Sequence, residues 1–512
     1  MLKKSIFALS ALLFVFGTNF SYAQTDTNLR EMFQNNEAVI YSVNLRSFNA
    51  NDKNGNGIIE FSKGETAGSF LNAIERLDEI KSLGINTLHV LPITPVGKIK
   101  ALGTAGSLYA ISDFTSLNLQ LSDANTDMSL KEQAKTFIDE CHKRGIKVII
   151  DLPSCGAFDL FLNRQDLFVL DDDGSAYTPA DWVDVRLFKV PDTKEELLKS
   201  DIFILHKIFV NNMINLGADG IRADVATIKP YIFWKELIKF ARSKNKNFMF
   251  LAEASENWTQ PASEKGYFTD YKKLLDAGFD GYYGNYFDLK NWQTFDKLSN
   301  SVLKQQKVLN KYPEKKSVIG SFETHDEVSP LIIGGEAYSK MIIWLNATLP
   351  LNPYYVDGFL QADDYLYEYA NKRAAETYTD DEYYYVHNGQ IDIFNFSRKP
   401  SSDNTSLIAE QKQAMELRNK YKNVITKGKF IPLKTNNNKI FAYKRELTNE
   451  AVYVIINRNI VNSEDVKIKI NNFNSKSKIT YIKNKEERII TKHNFELKMK
   501  PAEILVFTIQ KD

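Results

Sequence analysis

Charged side chains stand at the ends of several short apolar runs in this sequence. The run GADGIRADVATIKP, residues 217–230, places Arg222 and Asp224 two residues apart. Successive side chains of a strand point to opposite faces, so these two would share a face. Burying a cation and a carboxylate costs desolvation free energy that their attraction does not always offset. The pair is therefore either a structural ion pair or part of an active site.

Similar side chains end three other apolar runs. Asp151 lies near the end of IKVIIDL, Glu253 ends FMFLAE, and His325 with Asp326 ends SVIGSFETHD. Paired carboxylates with different pKa values perform glycoside hydrolysis, one as nucleophile or base and the other as general acid. A guanidinium beside Asp224 would keep that carboxylate ionised, whereas the apolar run before Glu253 would raise the pKa of its carboxyl. The residue types thus favour a hydrolytic site over isolated ion pairs.

The elements that must position these residues are eight β-type runs, separated mostly by segments of helical periodicity such as YIFWKELIKFARSK. The runs are AVIYSVNLRSF (38–48), INTLHVLPI (85–93), IKVIIDL (146–152), ADGIRAD (218–224), FMFLAE (248–253), GFDGYYGNYF (278–287), SVIGSFETHD (317–326) and NPYYVDG (352–358). This alternation predicts an α/β fold with a parallel sheet, and eight units predict a (β/α)₈ TIM barrel. The carboxyl ends of barrel strands meet at one rim, where the charged residues would converge.

The organisation of the chain predicts a signal peptide at 1–23, a catalytic barrel at 24–425 and a C-terminal domain at 426–512. Residues 153–200 are too many for a simple βα loop after the third strand, and they predict a short inserted subdomain. The tail from about 430 consists of short β-rich runs with turn signals and no helical period, which predicts an antiparallel β-domain.

The motifs and their order resemble those of the α-amylase superfamily, glycoside hydrolase family 13. The strand-four motif G-x-R-x-D of that family is matched by residues 220–224, its strand-five acid by Glu253, and its strand-seven His-Asp by His325 and Asp326. The segment TAGSLYAISDFTSLN resembles the family's segment after strand two, in which a sugar-stacking tyrosine is matched by Tyr109. The resemblance extends from about residue 38 to the C-terminus.

The resemblance implies a retaining mechanism on α-linked glucans such as starch and maltooligosaccharides. Asp224 would attack the anomeric carbon and form a β-glycosyl-enzyme. Glu253 would protonate the leaving oxygen and then activate water or an acceptor sugar. Asp326 would hold the ring hydroxyls of the sugar in the cleaved site. The resemblance further implies substrate contacts for four residues, Arg222, His325, Tyr109 and Asp151.

Two departures from the family pattern bear on the substrate. The family ends strand three with D-x-x-x-N-H, whereas this chain has Cys155 and Gly156 at the Asn and His places. Many relatives carry Lys-His after the nucleophile, where this chain has Thr227 and Ile228. Two alternatives therefore stay beside hydrolysis: a 4-α-glucanotransferase using the same residues, and a catalytically degenerate glycan-binding homologue.

A second group of oxygen-bearing residues lies in NDKNGNGIIEFSKGE, residues 51–65. Hard cations prefer such oxygen clusters, often with a backbone carbonyl as a further ligand. Position twelve of the loop is Lys63, which argues against an EF-hand. The loop resembles the D-x-N-x-D-G-x-x-D calcium loop of some superfamily members, with a solvated Asn-Gly turn as the alternative. The predicted Ca²⁺ ligands are Asp52, Asn54, Asn56, the Ile58 carbonyl and Glu60.

The N-terminus, MLKKSIFALSALLFVFGTNFSYAQ, has the charged start, apolar run and small-residue cleavage site of a signal peptide. The apolar run is shorter than the roughly 20 residues of a membrane span, which disfavours the alternative of a membrane anchor. We therefore expect an exported protein, periplasmic or extracellular, with no membrane insertion after cleavage.

The overall charge and the cysteines add two further expectations. Lys plus Arg is 65 and Asp plus Glu is 64 over 512 residues, so the formal charge of +1 gives no support for a nucleic-acid partner. The only cysteines, Cys141 and Cys155, would flank the third strand, whose length of roughly 20 Å exceeds disulfide reach. We expect two free thiols. The partner expected is an α-glucan, and the sequence leaves the oligomeric state open.

Overall fold

The computed structural model describes residues 27–55, 59–101, 107–179, 182, 184–362, 405–470, 477–483, 487–490 and 494–510. The predicted signal peptide lies outside these residues, as do two predicted calcium ligands, Asn56 and Ile58. Within the described part of the chain, no helix combines the length and apolarity that crossing a membrane requires.

Eight parallel strands form the central sheet, as the sequence predicts. They are β1 (Ile40–Val43), β2 (Thr87–Val90), β4 (Lys147–Leu152), β7 (Gly220–Ala223), β8 (Met249–Ala252), β9 (Gly281–Tyr282), β10 (Ser317–Val318) and β11 (Tyr354–Val356). Each lies inside one of the eight predicted runs. The pairing order is β10-β9-β8-β7-β4-β2-β1-β11. A parallel bridge between Ile319 and Asn352, next to β10 and β11, joins the two ends of this order into a ring.

Most of the helices pack around the outside of the ring, whereas the first helix places Leu29 and Phe33 in the apolar cluster inside it. The helices up to residue 348 are α1 (Leu29–Gln34), α2 (Leu45–Phe48), α3 (Leu77–Ser82), α4 (Leu130–Lys143), α5 (Phe158–Asn163), α6 (Lys194–Lys199), α7 (Asp201–Leu216), α8 (Tyr231–Lys244), α9 (Tyr271–Ala277), α10 (Phe295–Leu309) and α11 (Pro330–Thr348). Strand residues alternate between two apolar clusters: Val148 and Ile150 pack in the cluster that includes the helices, and Ile149 packs in the cluster inside the ring. Asp151 has the parity of Ile149, so the alternation points it inward.

Local signals fix where the helices next to the site strands begin and end. Ser129 caps α4 by accepting from the Glu132 N–H, and the Glu132 side chain accepts from the Ser129 N–H in return. Gly217 ends α7 in the left-handed region, with φ of 101°, which favours glycine. The chain then enters β7, the strand that carries Arg222.

A small separate sheet combines a strand before β4 with two strands between β4 and β7. Strand β3 (Ala110–Ile111) pairs in parallel with β5 (Cys155–Ala157), and β5 pairs antiparallel with β6 (Val185–Leu187). Strands β5 and β6 lie within residues 153–200, the range of the predicted insertion, whereas β3 comes from the segment after β2. Cys155 and Cys141 are both free and buried, which confirms the prediction of two unpaired thiols.

The C-terminal part is antiparallel, as predicted, and follows α12 (Thr405–Lys420) and α13 (Lys422–Lys427). The strands are β12 (Lys429–Pro432), β13 (Lys434–Thr435), β14 (Ile440–Leu447), β15 (Glu450–Asn457), β16 (Glu464–Lys469), β17 (Ser477–Tyr481), β18 (Glu487–Ile490), β19 (Asn494–Met499) and β20 (Ile504–Gln510). One sheet has the order β12-β14-β15-β20-β17-β18, and the other has the order β13-β16-β19.

Two buried arginines, Arg418 on α12 and Arg445 on β14, hold the C-terminus of α11. Arg418 donates to the Ala347 carbonyl at 2.8 Å, and Arg445 donates to the Thr348 carbonyl at 2.9 Å. The last carbonyls of a helix have no partner within the helix and carry partial negative charge. Burial lowers the pKa of Arg418 to about 10 and that of Arg445 to about 9, because desolvation opposes both charges. The C-terminus of α11 is thus anchored by one side chain from the following helix and one from the C-terminal β part.

Replacement of the capping residue tests how far the end of α4 stabilises the barrel. We expect Ser129→Ala to lower the free energy of unfolding by about 1 kcal/mol, because the Glu132 N–H loses its acceptor. Ser129→Asp keeps an acceptor at the cap and is the matched control, with little expected loss. Urea denaturation of the three proteins measures the difference. Equal stability of Ser129→Ala and the original chain would contradict this role of the cap.

Candidate active site

The guanidinium of Arg222 is the centre of the candidate site. Its Nη1 donates to both oxygens of Asp151, at 2.9 and 3.0 Å, and to Oδ1 of Asp224 at 3.0 Å. Its Nη2 lies 2.8 Å from Oε2 of Glu253, an ion-pair contact without hydrogen-bond alignment. Its Nε donates to the Tyr283 hydroxyl at 3.0 Å. One buried cation therefore joins three of the acids that the sequence singled out.

The register of the strands brings Arg222 and these carboxyl groups together. Asp151 on β4 is paired with Arg222 on β7, and Ala223 is paired with Ala252 on β8, so Asp224 and Glu253 leave neighbouring strand ends together. Glycine at the start of β7 is required by space, since a Cβ on Gly220 would lie 2.8 Å from the Met249 carbonyl. The close approach of β7 to β8 thus explains the first residue of the G-x-R-x-D pattern.

Asp224 is held by donors on both of its oxygens. Besides Arg222 on Oδ1, the Ser154 N–H and hydroxyl donate to Oδ2 at 3.0 and 2.8 Å. Burial raises the pKa of Asp224 above its ordinary value, while Arg222 and the Ser154 hydrogen bonds lower it. Arg222 therefore acts in the direction that the sequence predicts, but burial outweighs it. The donors still favour the charged form of this carboxyl.

Glu253 is held by the backbone next to Asp224. Its Oε2 accepts from the Val225 N–H at 2.6 Å. Val225 has φ of 32°, in the left-handed region that a β-branched side chain rarely adopts, so the backbone is strained directly beside the two carboxyls. Burial raises the pKa of Glu253 to about 8, and the charges of Asp224 and Asp326 add to the rise. The direction agrees with the sequence prediction, although neighbouring charge contributes as well as the apolar setting.

The remaining predicted rim residues form a hydrogen-bonded row. The Tyr109 hydroxyl donates to Oδ2 of Asp151 at 3.0 Å and lies 2.7 Å from Nε2 of His325, and the two rings stack at 5.5 Å. His325 Nε2 lies 3.4 Å from Oδ2 of Asp326. His89, on β2, contacts Asp151 at 3.2 Å with one ring nitrogen and Tyr354 at 3.0 Å with the other. His89 is therefore a satisfied core histidine that supports the site from below.

The charged side chains of the site differ in solvent exposure. The side chains of Arg222 and Asp151 are fully buried. Those of Asp224, Glu253 and Asp326 are 11%, 9% and 33% exposed, so these three reach solvent at the mouth of the ring. Although burial opposes its charge, Arg222 and the His89 hydrogen bond lower the pKa of Asp151. Asp151 is therefore a permanent counter-charge beneath the carboxyls that a ligand can meet.

The two departures from the family pattern have a physical reason in the packing. A Cβ on Gly156 would lie 2.7 Å from ring atoms of both Phe168 and Phe188, so no side chain fits there. Thr227 and Ile228 are buried in a 3₁₀ turn, and Ile228 packs with Cys155 in a small apolar cluster. Neither pair is placed to hold a sugar at the mouth.

Sequence reasoning missed several side chains that complete the site. Ser154 binds Asp224, and Lys229 donates to the Ser154 carbonyl at 2.7 Å. Tyr354 binds His89. Tyr354 is the first residue of β11, and its inward direction could have been found from the alternation of that strand. Ser154 and Lys229 lie on loops, where no periodicity indicates direction.

The predicted calcium loop is organised around an acid that the sequence analysis left out. Glu65, which is buried, accepts backbone N–H groups of Lys53, Asn54 and Glu60 at 3.1, 3.3 and 2.8 Å. Asn54 donates to Glu60 at 2.7 Å, and Lys63 pairs with Glu60 at the same distance. No group of three or more acids, histidines or cysteines placed for a metal occurs among the described residues. The described side chains among the predicted ligands nevertheless all carry oxygen atoms, which are the ligands that calcium prefers.

Several known protein sequences are similar to this chain. No protein-family model matches the chain. Alpha-amylase 3 of Dictyoglomus thermophilum is 23% identical over 505 residues, which cover 87% of this chain and 89% of that protein. A maltosyltransferase of Myxococcus xanthus, alpha-1,4-glucan:maltose-1-phosphate maltosyltransferase, is 24% identical over 243 residues, 45% of this chain and 34% of that protein. Other partial matches are a neopullulanase and cyclomaltodextrinases.

Comparison with solved structures agrees with the sequence matches. A maltogenic alpha-amylase from Thermotoga neapolitana superimposes with a TM-score of 0.68 at 18% identity, covering 94% of this chain and 99% of that one. At this identity the likeness concerns the fold, a barrel with a C-terminal β-domain. The sequence relatives and the structural neighbours of this chain are enzymes of the α-amylase family, and the chain has that family's fold.

Proposed function

We propose that this protein is a retaining glycoside hydrolase that acts on α-linked glucans through a covalent glycosyl-Asp224 intermediate. The observation that carries the proposal is the contact of one guanidinium with both Asp224 and Glu253, at 3.0 and 2.8 Å. Two carboxyls reach solvent at one rim. One accepts hydrogen bonds on both of its oxygens and the other has a pKa raised to about 8, and this difference supports the division of roles that glycoside hydrolysis requires.

The steps follow from the placement of these groups. Asp224 attacks the anomeric carbon while the glycosidic bond breaks, and Glu253 gives its proton to the leaving oxygen. The Glu253 carboxylate then takes a proton from water, whose oxygen attacks the anomeric carbon and releases Asp224. Asp326, the most exposed of the three acids, contacts the sugar that is being cleaved. Arg222 lies beneath them and offsets part of their negative charge.

Replacement of the nucleophile tests this function. We expect Asp224→Asn to lower the rate of maltooligosaccharide hydrolysis on the order of 10⁴-fold, because an amide oxygen cannot form the intermediate. The exposed Asp127 gives a matched control, Asp127→Asn, with unchanged rate. Chromatography of products from maltotriose to maltoheptaose measures both. Equal product from the Asp224→Asn variant and the original enzyme would overturn the proposal.

The proton donor gives a separate prediction about pH. Because the neutral form of Glu253 is the active one, we expect kcat/KM to fall as pH rises through about 8. In Glu253→Gln this alkaline limb should disappear and turnover of maltooligosaccharides should be lost. Maltosyl fluoride needs no proton for its leaving group, so the variant should release about one equivalent of fluoride and retain a glycosyl group on Asp224, detectable by mass spectrometry. Full maltooligosaccharide turnover by Glu253→Gln would refute this role.

Transfer to an acceptor sugar is the second candidate function. It is favoured by the relatives named as maltosyltransferases. The same residues form the same intermediate, and the outcome depends on whether water or a sugar attacks it. Products longer than maltotriose, formed from maltotriose alone, would identify the protein as a glucanotransferase.

We further propose a structural calcium ion at the loop after β1, held by Asp52, Asn54, Asn56, the Ile58 carbonyl and Glu60. The all-oxygen donor set supports the choice of a hard cation. A ligand that binds only the folded state raises its stability, so added Ca²⁺ should raise the melting temperature and chelation should lower it. Asp52→Ala should abolish both shifts, whereas the exposed Glu450→Ala should keep them. The absence of any calcium-dependent shift in the original protein would rule out the site.

A further inference from the structure

Lys229 is a buried lysine behind the candidate active site to which the proposed chemistry gives no part. It is 1% exposed, and its Nζ donates to the Ser154 carbonyl at 2.7 Å. The rings of Phe188 and Phe233 lie 5.8 and 5.7 Å from the ammonium. Among the described residues, its short contacts are thus a carbonyl and two aromatic faces rather than a carboxylate. A buried ammonium in such surroundings is costly to desolvate, so its position is informative.

Ser154, which accepts the hydrogen bond from Lys229, also donates hydrogen bonds to Asp224, the proposed nucleophile. Ser154 donates from its N–H and its hydroxyl to Oδ2 of Asp224, at 3.0 and 2.8 Å. We infer that Lys229 is a positioning residue for Asp224, acting through Ser154 to fix which carboxylate oxygen attacks the sugar. This inference rests on the proposed function and deepens it.

The hydrogen bonds assign the two oxygens of Asp224. From the residues that the structure describes, Oδ2 accepts two hydrogen bonds, both from Ser154, whereas Oδ1 accepts one, from Arg222. A carboxylate oxygen has two lone pairs, so Oδ1 keeps one for bond formation. Oδ1 therefore attacks the anomeric carbon, and Oδ2 becomes the carbonyl oxygen of the glycosyl ester. Rotation of the carboxylate would break three hydrogen bonds at once, so the attacking atom is fixed before the sugar arrives.

The charge of Lys229 also acts on Asp224. The titratable groups that face the ammonium are Cys155, His206 and Asp224. Burial raises the pKa of the Cys155 thiol to about 12 and lowers that of His206 to about 3, so both are neutral near pH 7. Of the three groups, only Asp224 carries a negative charge that attracts the ammonium of Lys229. The other charged groups that act on Asp224 are Arg222 and Asp151, and Asp224 in turn acts on Glu253.

Removal of the charge at nearly constant shape tests the inference. We expect Lys229→Met to lower kcat on maltooligosaccharides at least about tenfold with a smaller change in KM, because the buried ammonium does not touch the sugar. The acid limb of kcat/KM should move to higher pH, since the charged form of Asp224 loses a favourable neighbour. Lys239→Met, on the exposed face of α8, is the matched control and should show neither change.

Two further measurements separate positioning from folding. Ser154→Ala removes the hydroxyl donor alone and should move the acid limb in the same direction, so it decides the matter if Lys229→Met fails to fold. In Lys229→Ala, added ethylammonium should restore part of kcat, whereas sodium at equal ionic strength should not. If Ser154→Ala and a folded Lys229→Met both keep the original kcat and pH profile, the inference is wrong. An original enzyme that turns over no α-glucan would instead overturn the proposed function itself.

Discussion

The site depends on one desolvated cation. Arg222 is fully buried, and a guanidinium in that position is stable only with carboxylates around it. Burial disfavours its charge, yet Asp151 and Glu253 raise its pKa well above the ordinary value. Asp151, Asp224 and Glu253 together bring more negative charge than one arginine neutralises. Burial, together with the charges of Asp224 and Asp326, raises the pKa of Glu253 to about 8, which suits the proton-donor role proposed for it.

The barrel makes this concentration of charge possible. Parallel strands in fixed register bring Asp151, Arg222 and the residues after Ala223 and Ala252 to one rim. The first residues of β7 and β8 approach each other so closely that a Cβ at Gly220 is excluded, which holds the two strands together below the rim. Strain at Val225 turns its N–H toward Glu253. The strands below the rim and the strained turn at Val225 above it thus hold the carboxyls of Asp224 and Glu253 against the guanidinium of Arg222.

The places where the chain departs from the family pattern are filled by packing rather than left open. Phe168 and Phe188 occupy the space that a side chain at Gly156 would need. Ile228 turns into an apolar cluster with Cys155. Beside them, Ser154 and Lys229 make a polar connection that ends on Asp224. Besides Arg222, the support of Asp224 therefore comes from the loop after β4 and from the residue before Pro230.

The sequence by itself determined the order of strands, the inward direction of the charged residues and the grouping of Arg222 with Asp224, because strand periodicity and the common rim of a parallel barrel follow from local geometry. It also indicated the free thiols, since the length of a strand separates them. Only the tertiary structure decided that Arg222 bridges three carboxyls, that burial outweighs Arg222 in the pKa of Asp224, and that Ser154 and Lys229 support that residue. These features depend on distances between loops and on exclusion of water, and neither quantity is encoded in the spacing of residues along the chain.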